Sequence, residues 1–313
     1  MAALERRAAI DVGTVTTRML VADTDGTSVL EVERRTVVTQ LGRGLRASGS
    51  LATDAIERVA RAVADFAREM TGLGVVNVVA VATSAARDAD NRDELLGRLR
   101  AIGVDTTVIP GAVEARLSFR GATYGLDVAD VLVADLGDGS TELVFGSAGG
   151  AVRTPGIEMA LSLDVGSRRV VDAFLDSDPP TDEEVHRAAR WVTQEMGPFF
   201  ESLPRRARTL VTLAGTGTTL SAIEQRLAVY DPDKVHGSRL RAADVARLRG
   251  MLAGMTVRQR RSVTGMDPER ADVIVGGAII LESILALSGL DETLVSEHDI
   301  LYGLILGGSA ALS

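Results

Sequence analysis

The chain has 313 residues, 46% apolar and 25% charged, which are the proportions of an ordinary soluble globular protein with chain enough for two cores. A net charge of −9 argues against nucleic acid or an anionic membrane as partners, so any anionic ligand needs a focused basic site or a metal. The lack of cysteine excludes disulfides, thiolate zinc sites and a cysteine nucleophile, and with Lys234 as the only lysine there can be no lysine-dependent P-loop.

Strand patterns at about 8–14, 17–24 and 27–39 open the chain. A helix at about 53–71 follows, in which Ile56, Val59, Ala60, Val63, Phe66 and Ala67 recur with helical spacing. A β-branched run at 75–82, a helical segment at 88–101, a short strand at 106–109 and a helix at 113–123 complete the order βββαβαβα, that of a three-layer α/β domain with a mixed sheet. After Tyr124-Gly125-Leu126-Asp127 the order restarts with strands at about 130–135, 141–146 and 151–154 and a helix beginning near Gly156. Thr181 and Glu184 carry a capping-box signature for a helix through Phe200. A strand at 208–213, a Gly/Thr-rich turn and further helices follow, one of them starting at Asp267. The expected domains are therefore 1–125 and 126–313. No apolar stretch like a signal peptide precedes the first strand, and the longest apolar run, around Val273 to Leu287, is interrupted by Glu282, so a cytoplasmic location is expected.

Two hairpin tips say nearly the same thing. Asp11-Val12-Gly13-Thr14-Val15-Thr16-Thr17 and Asp135-Leu136-Gly137-Asp138-Gly139-Ser140-Thr141 both read Asp, apolar, Gly, two variable residues, hydroxyl, Thr. Glycines let backbone N–H groups approach an anion, hydroxyls add donors, and a strand-end Asp can hold a hydrated cation. Such a loop suits a phosphate with its metal, and its repetition suggests two related domains.

Other segments could carry chemistry. Thr83-Ser84-Ala85-Ala86-Arg87-Asp88 follows a buried-type strand, which puts Arg87 at a strand's C-terminal end, where open α/β sheets bind ligands. Glu114 lies in the first turn of a helix, where the macrodipole favours a carboxylate whatever its function. Leu213-Ala214-Gly215-Thr216-Gly217-Thr218-Thr219 places backbone donors and hydroxyls at another helix start. Arg270 and Asp272 are candidate pocket residues. His186, His236 and His298 lack metal-ligand or triad spacing, and no Gly-x-Ser-x-Gly elbow supports a serine hydrolase.

Taken in order, these segments, with Pro110 to Leu117 and Gly276-Gly277-Ala278, resemble the exopolyphosphatase / guanosine pentaphosphate phosphohydrolase (Ppx/GppA) family of the actin-like ATPase superfamily, in its short two-domain form. The resemblance spans almost the whole chain. It implies an α/β fold of two ribonuclease-H-like domains with an interdomain cleft, and Mg2+-dependent release of terminal orthophosphate from inorganic polyphosphate. By position, Glu114 matches the family's catalytic glutamate, which activates water, and Arg87 matches a phosphate-contacting arginine. Asp135 and Glu142 match acids of the metal and phosphate site, and Asp11 is the corresponding acid of the first loop. Thr14, Thr16, Gly137, Gly139, Ser140, Thr141, Gly215 and Thr216 are then the expected phosphate-binding positions, and Asp138 joins Asp11, Asp135 and Glu142 as an expected metal ligand. A homodimer is a plausible assembly in such a family.

Departures from the family pattern matter. Its first loop usually reads Gly-Ser-Asn-Ser, where Val15 here replaces a polar donor; its second usually reads Gly-Gly-Gly-Ser, where Asp138 replaces a glycine. Ser296 to Gly303 departs from a usual run containing Arg-Gly-Leu-Arg-Glu-Gly. A carboxylate aimed at phosphate repels it unless a cation intervenes. Three alternatives to a polyphosphatase therefore stand: a guanosine pentaphosphate or nucleoside triphosphate phosphohydrolase, a sugar or acetate kinase on the same scaffold, and a weakened polyphosphate or nucleotide sensor.

Overall fold

The computed structural model describes residues 4–126, 129–148 and 156–312. They fall into two compact units, divided at residues 125 and 126.

The first unit opens with β1 (Glu5–Val12), β2 (Thr16–Thr24) and β3 (Val29–Val38), an antiparallel meander. Then come α1 (Leu45–Ser48), α2 (Thr53–Gly72), β4 (Asn77–Ala82), α3 (Ser84–Asp88), α4 (Arg92–Ala101), β5 (Thr106–Val108) and α5 (Gly111–Ala122). The sheet order is β3-β2-β1-β4-β5, with β4 and β5 parallel to β1. Helix α2 turns Ile56, Val59, Val63 and Phe66 onto one face of this sheet, against Ile10, Met19 and Val21. Each such side chain removed from water is worth about 1.5–3 kcal/mol. On the opposite face Leu20, Ala22 and Val81 meet Val113 and Leu117 of α5.

The second unit repeats the plan with β6 (Val131–Leu136), β7 (Thr141–Ser147), β8 (Gly156–Leu163), α6 (Ser167–Phe174), α7 (Asp182–Glu201), β9 (Thr209–Leu213), α8 (Ala214–Glu224), α9 (Pro232–Val235), β10 (Arg239–Arg241), α10 (Ala242–Ala253), α11 (Val257–Arg260), α12 (Ile274–Ser288) and β11 (Glu292–Val295). Its order is β10-β11-β9-β6-β7-β8. Without the added edge strand β10, this is the first sheet's order again, with β6, β7, β8, β9 and β11 in the places of β1 to β5. The repeated hairpin motif thus marks a repeated domain of ribonuclease-H-like α/β type.

The last helix, α13 (Ile300–Gly307), belongs to the first unit, so the expected span of 126–313 for the second domain is shortened to end at Asp299. Leu301, Leu304 and Ile305 join Leu20, Val81 and Leu117 in one cluster. The Tyr302 hydroxyl donates to Glu31 Oε1 at 2.8 Å, and burial together with that carboxylate pushes the phenol's pKa up.

Three further expectations change. The helix expected near Gly156 is strand β8, and the strand expected at 151–154 lies outside the described residues. The Gly/Thr-rich turn after β9 does not exist: α8 starts at Ala214, whose φ of 63° turns the chain straight from strand into helix. Asp267 caps only a 3-10 turn over Pro268–Arg270, accepting from Glu269 N at 3.0 Å, and the apolar helix begins at Ile274. The capping box of α7 is present, with Thr181 and Glu184 bonding reciprocally.

Candidate active-site loops in the two units

In the first unit the parallel strands β1, β4 and β5 finish side by side. Thr83 N donates to Val12 O at 3.2 Å and Ile109 N to Ala82 O at 3.1 Å, so the loops after these strands gather at one sheet end, where parallel strands place ligands. Gly13 N closes the first tip on Thr16 O at 2.9 Å, leaving Thr14 and Thr16 half-exposed. Val15, which stands where the family has a polar donor, is buried, and its carbonyl accepts from Thr39 N and Gln40 N, both at 2.8 Å. That carbonyl ties the tip to the segment after β3.

Arg87, at the end of α3, and Glu114, in the first turn of α5, are brought together. Arg87 Nη1 lies 2.6 Å from Glu114 Oε2 and also donates to Ile109 O at 3.1 Å. Glu114 is buried to 9% exposure. Asp11 faces Arg18, directly opposite on β2, whose Nη2 lies 2.5 Å from its Oδ2. The first tip therefore ends in an ion pair.

The corresponding rung of the second unit is acidic. Asp135 on β6 pairs in register with Glu142 on β7, which in turn faces Ser162 on β8 and accepts its hydroxyl at 2.7 Å. Two carboxylates set opposite each other across the strands supply the hard oxygen donors that magnesium takes. Magnesium needs only one or two carboxylates when water and phosphate complete its shell. Among the described residues no group of three or more acidic or histidine side chains is arranged to hold an ion, so a larger carboxylate cage is not present there.

Asp138 does not join that rung. It accepts from Ser167 Oγ at 2.6 Å, and Arg270 Nη1 lies 3.5 Å from each of its oxygens. The Arg270 guanidinium lies over the backbone of Gly215, where any Cβ would overlap it. Asp138, Arg270 and Gly215 thus form one cluster. Other expected phosphate positions are occupied by the scaffold: Thr141 Oγ1 donates to Val165 O at 2.5 Å, and Gly137 O and Gly139 O accept from Ser167 N at 3.0 Å and Arg169 Nε at 2.5 Å. Ser140 and Thr216 are buried, the latter against Gly277. Arg168 and Arg169 on α6 are not among the site residues expected from the sequence. Arg168 bonds Asp272 at 2.7 Å, and the pair of arginines directly after Gly166-Ser167 was the available signal.

The chain matches the Ppx/GppA phosphatase family over residues 20–307. It belongs to that family. It is 41% identical to exopolyphosphatase 2 of Mycobacterium tuberculosis over 97% of this chain and 98% of that one. Among solved structures, an exopolyphosphatase-like protein superposes with a TM-score of 0.90 at 35% identity, covering 97% of each chain. The Ppx/GppA family member of Aquifex aeolicus gives 0.83 at 30% identity, again over 97% of both chains. No helix among the described residues is long and apolar enough to cross a membrane.

Proposed function

We propose that this protein is an exopolyphosphatase that removes terminal orthophosphate from inorganic polyphosphate in the cytoplasm, with Glu114 as general base. The observation that carries this reading is the buried Glu114 carboxylate gripped by Arg87, on segments after β4 and β5 that share a sheet end with the Gly13–Thr16 loop, in a chain of this family. Glu114 accepts a proton from water as the water oxygen bonds to the terminal phosphorus. The bridging P–O bond breaks, and its electron pair leaves on the shortened chain. Arg87 orients Glu114 and offers its remaining N–H groups to phosphoryl oxygens, which guanidinium geometry suits. Arg168, Arg169 and Arg270 supply further positive charge in the second unit.

Asp135 and Glu142 are the residues that would hold magnesium, which, when bound, neutralises phosphoryl oxygens. We leave Asp11 and Asp138 out of this proposed set, since each faces an arginine. The hold of Asp138 on Arg270 favours one second reading, a weakened enzyme that binds phosphate chains better than it cleaves them. Phosphate release from polyphosphate, guanosine pentaphosphate and ATP, measured side by side with and without magnesium, tests the proposal. Release from polyphosphate that needs the metal is the expected result; release from the nucleotides alone would overturn the substrate assignment.

A further inference from the structure

Residues 39–51 form an arch that no function has yet absorbed. Its first end is bonded to the phosphate loop: Thr39 N and Gln40 N donate to Val15 O at 2.8 Å, and Gly42 N donates to Thr14 O at 2.8 Å. Its second end is bonded to the segment after Arg87. Asp90 N donates to Gly49 O at 3.0 Å, while Leu51 and Asn91 exchange two bonds of 2.8 and 3.0 Å. Leu41 and Leu45 are buried in the core beneath, and between and beyond them Arg43 and Arg46 stand exposed. The pattern Leu41-Gly42-Arg43-Gly44-Leu45-Arg46 thus presents two guanidinium groups from an anchored backbone.

These arginines are not spent on carboxylates. Arg35, Arg58 and Arg98 in the same unit each pair with an acid, whereas among the described residues Arg43 bonds only Gln40 Oε1, at 3.4 Å, and Arg46 has no ion pair. In a chain of net charge −9, exposed arginines that form no ion pair among the described residues, tied to a phosphate loop, are a local site for an extended anion.

We infer that Arg43 and Arg46 bind phosphate groups further along the polyphosphate chain than the one being cleaved, so that this arch selects long chains over short ones. A run of phosphates presents charge at regular intervals to both arginines, which a nucleotide's sugar and base do not. This inference rests on the proposed polyphosphate substrate.

The test compares the full chain with the R43A/R46A double variant and with R61A, an exposed α2 arginine that also lacks an ion pair but lies outside the arch. Equilibrium binding of labelled long-chain polyphosphate is measured across salt concentrations, and KM is measured for long-chain polyphosphate and for tripolyphosphate. The double variant is expected to weaken long-chain binding about fivefold, the scale of two exposed charge contacts, and to make the salt dependence shallower by about one per arginine. Tripolyphosphate KM and the R61A variant stay unchanged. Equal loss on both substrates, no loss on either, or the same loss in R61A overturns the inference. If the unaltered protein neither binds nor cleaves polyphosphate, the function proposed above fails with it; binding without chain-length selectivity sinks only the arch.

Discussion

Arg87 and Glu114 meet at 2.6 Å although they stand on different helices, α3 and α5, joined through β5. Glu114 is thereby held in place by a group that also has N–H donors to offer a phosphate. Replacing Glu114 with Gln keeps the shape and removes the base, so turnover should fall by at least about a hundredfold with KM little changed. Steady-state phosphate release measures it, and an unaltered rate would remove Glu114 from the chemistry.

Asp138 is the second point of attack. Its carboxylate faces Arg270 at 3.5 Å and so competes with any phosphate for that guanidinium. In Asp138→Gly, which restores the family's residue, KM for polyphosphate should fall by about fivefold, the worth of an ion pair near 1 kcal/mol. Asp138→Asn, which can still accept from Ser167, should fall in the same direction. Loss of activity in both would instead make Asp138 a supporter of the reaction.

The acidic rung of β6 and β7 gives a metal prediction. Chelation should abolish phosphate release and added magnesium should restore it. Asp135→Asn and Glu142→Gln should each raise the magnesium concentration for half-maximal rate by about tenfold or more, as loss of a ligand to a hard cation does. Titration of rate against magnesium decides this, and curves that superpose on the unaltered protein's would reject the rung as the metal's place.

Much of this site could be read from local sequence, because a strand-end Asp, a glycine and a hydroxyl define a tip without reference to distant residues. The difference between the tips is local too: Arg18 follows Thr17 where Glu142 follows Thr141, which marks the second loop as the metal-bearing half and the first as the phosphate-positioning half. What strand register adds is that each of these residues faces its tip's Asp, giving an ion pair in one case and an acidic rung in the other. Strand β8 differs from the helix expected there because Glu158, Met159, Ala160 and Leu161 are helix formers on a half-exposed strand, where pairing with β7 overrides propensity. The 39–51 arch escaped notice since its anchors are backbone groups, which any sequence can supply.

Helix α13 predicts a packing effect. It passes α5 so closely that a Cβ on Gly303 would overlap the Leu117 carbonyl. Gly303→Ala should destabilise the protein by about 1–3 kcal/mol, the range for overpacking, visible as a lower thermal midpoint. Gly97→Ala, in open space within α4, should raise the midpoint slightly through helix propensity. Equal midpoints for the two variants would contradict the contact.

That same helix sets a timetable for synthesis. The ribosome must deliver the whole of the second unit, to Asp299, before the residues that finish the first one emerge. Until then Leu20, Val81 and Leu117 lack the cover that α13 gives them, and the nascent first unit carries apolar surface of the kind that favours aggregation.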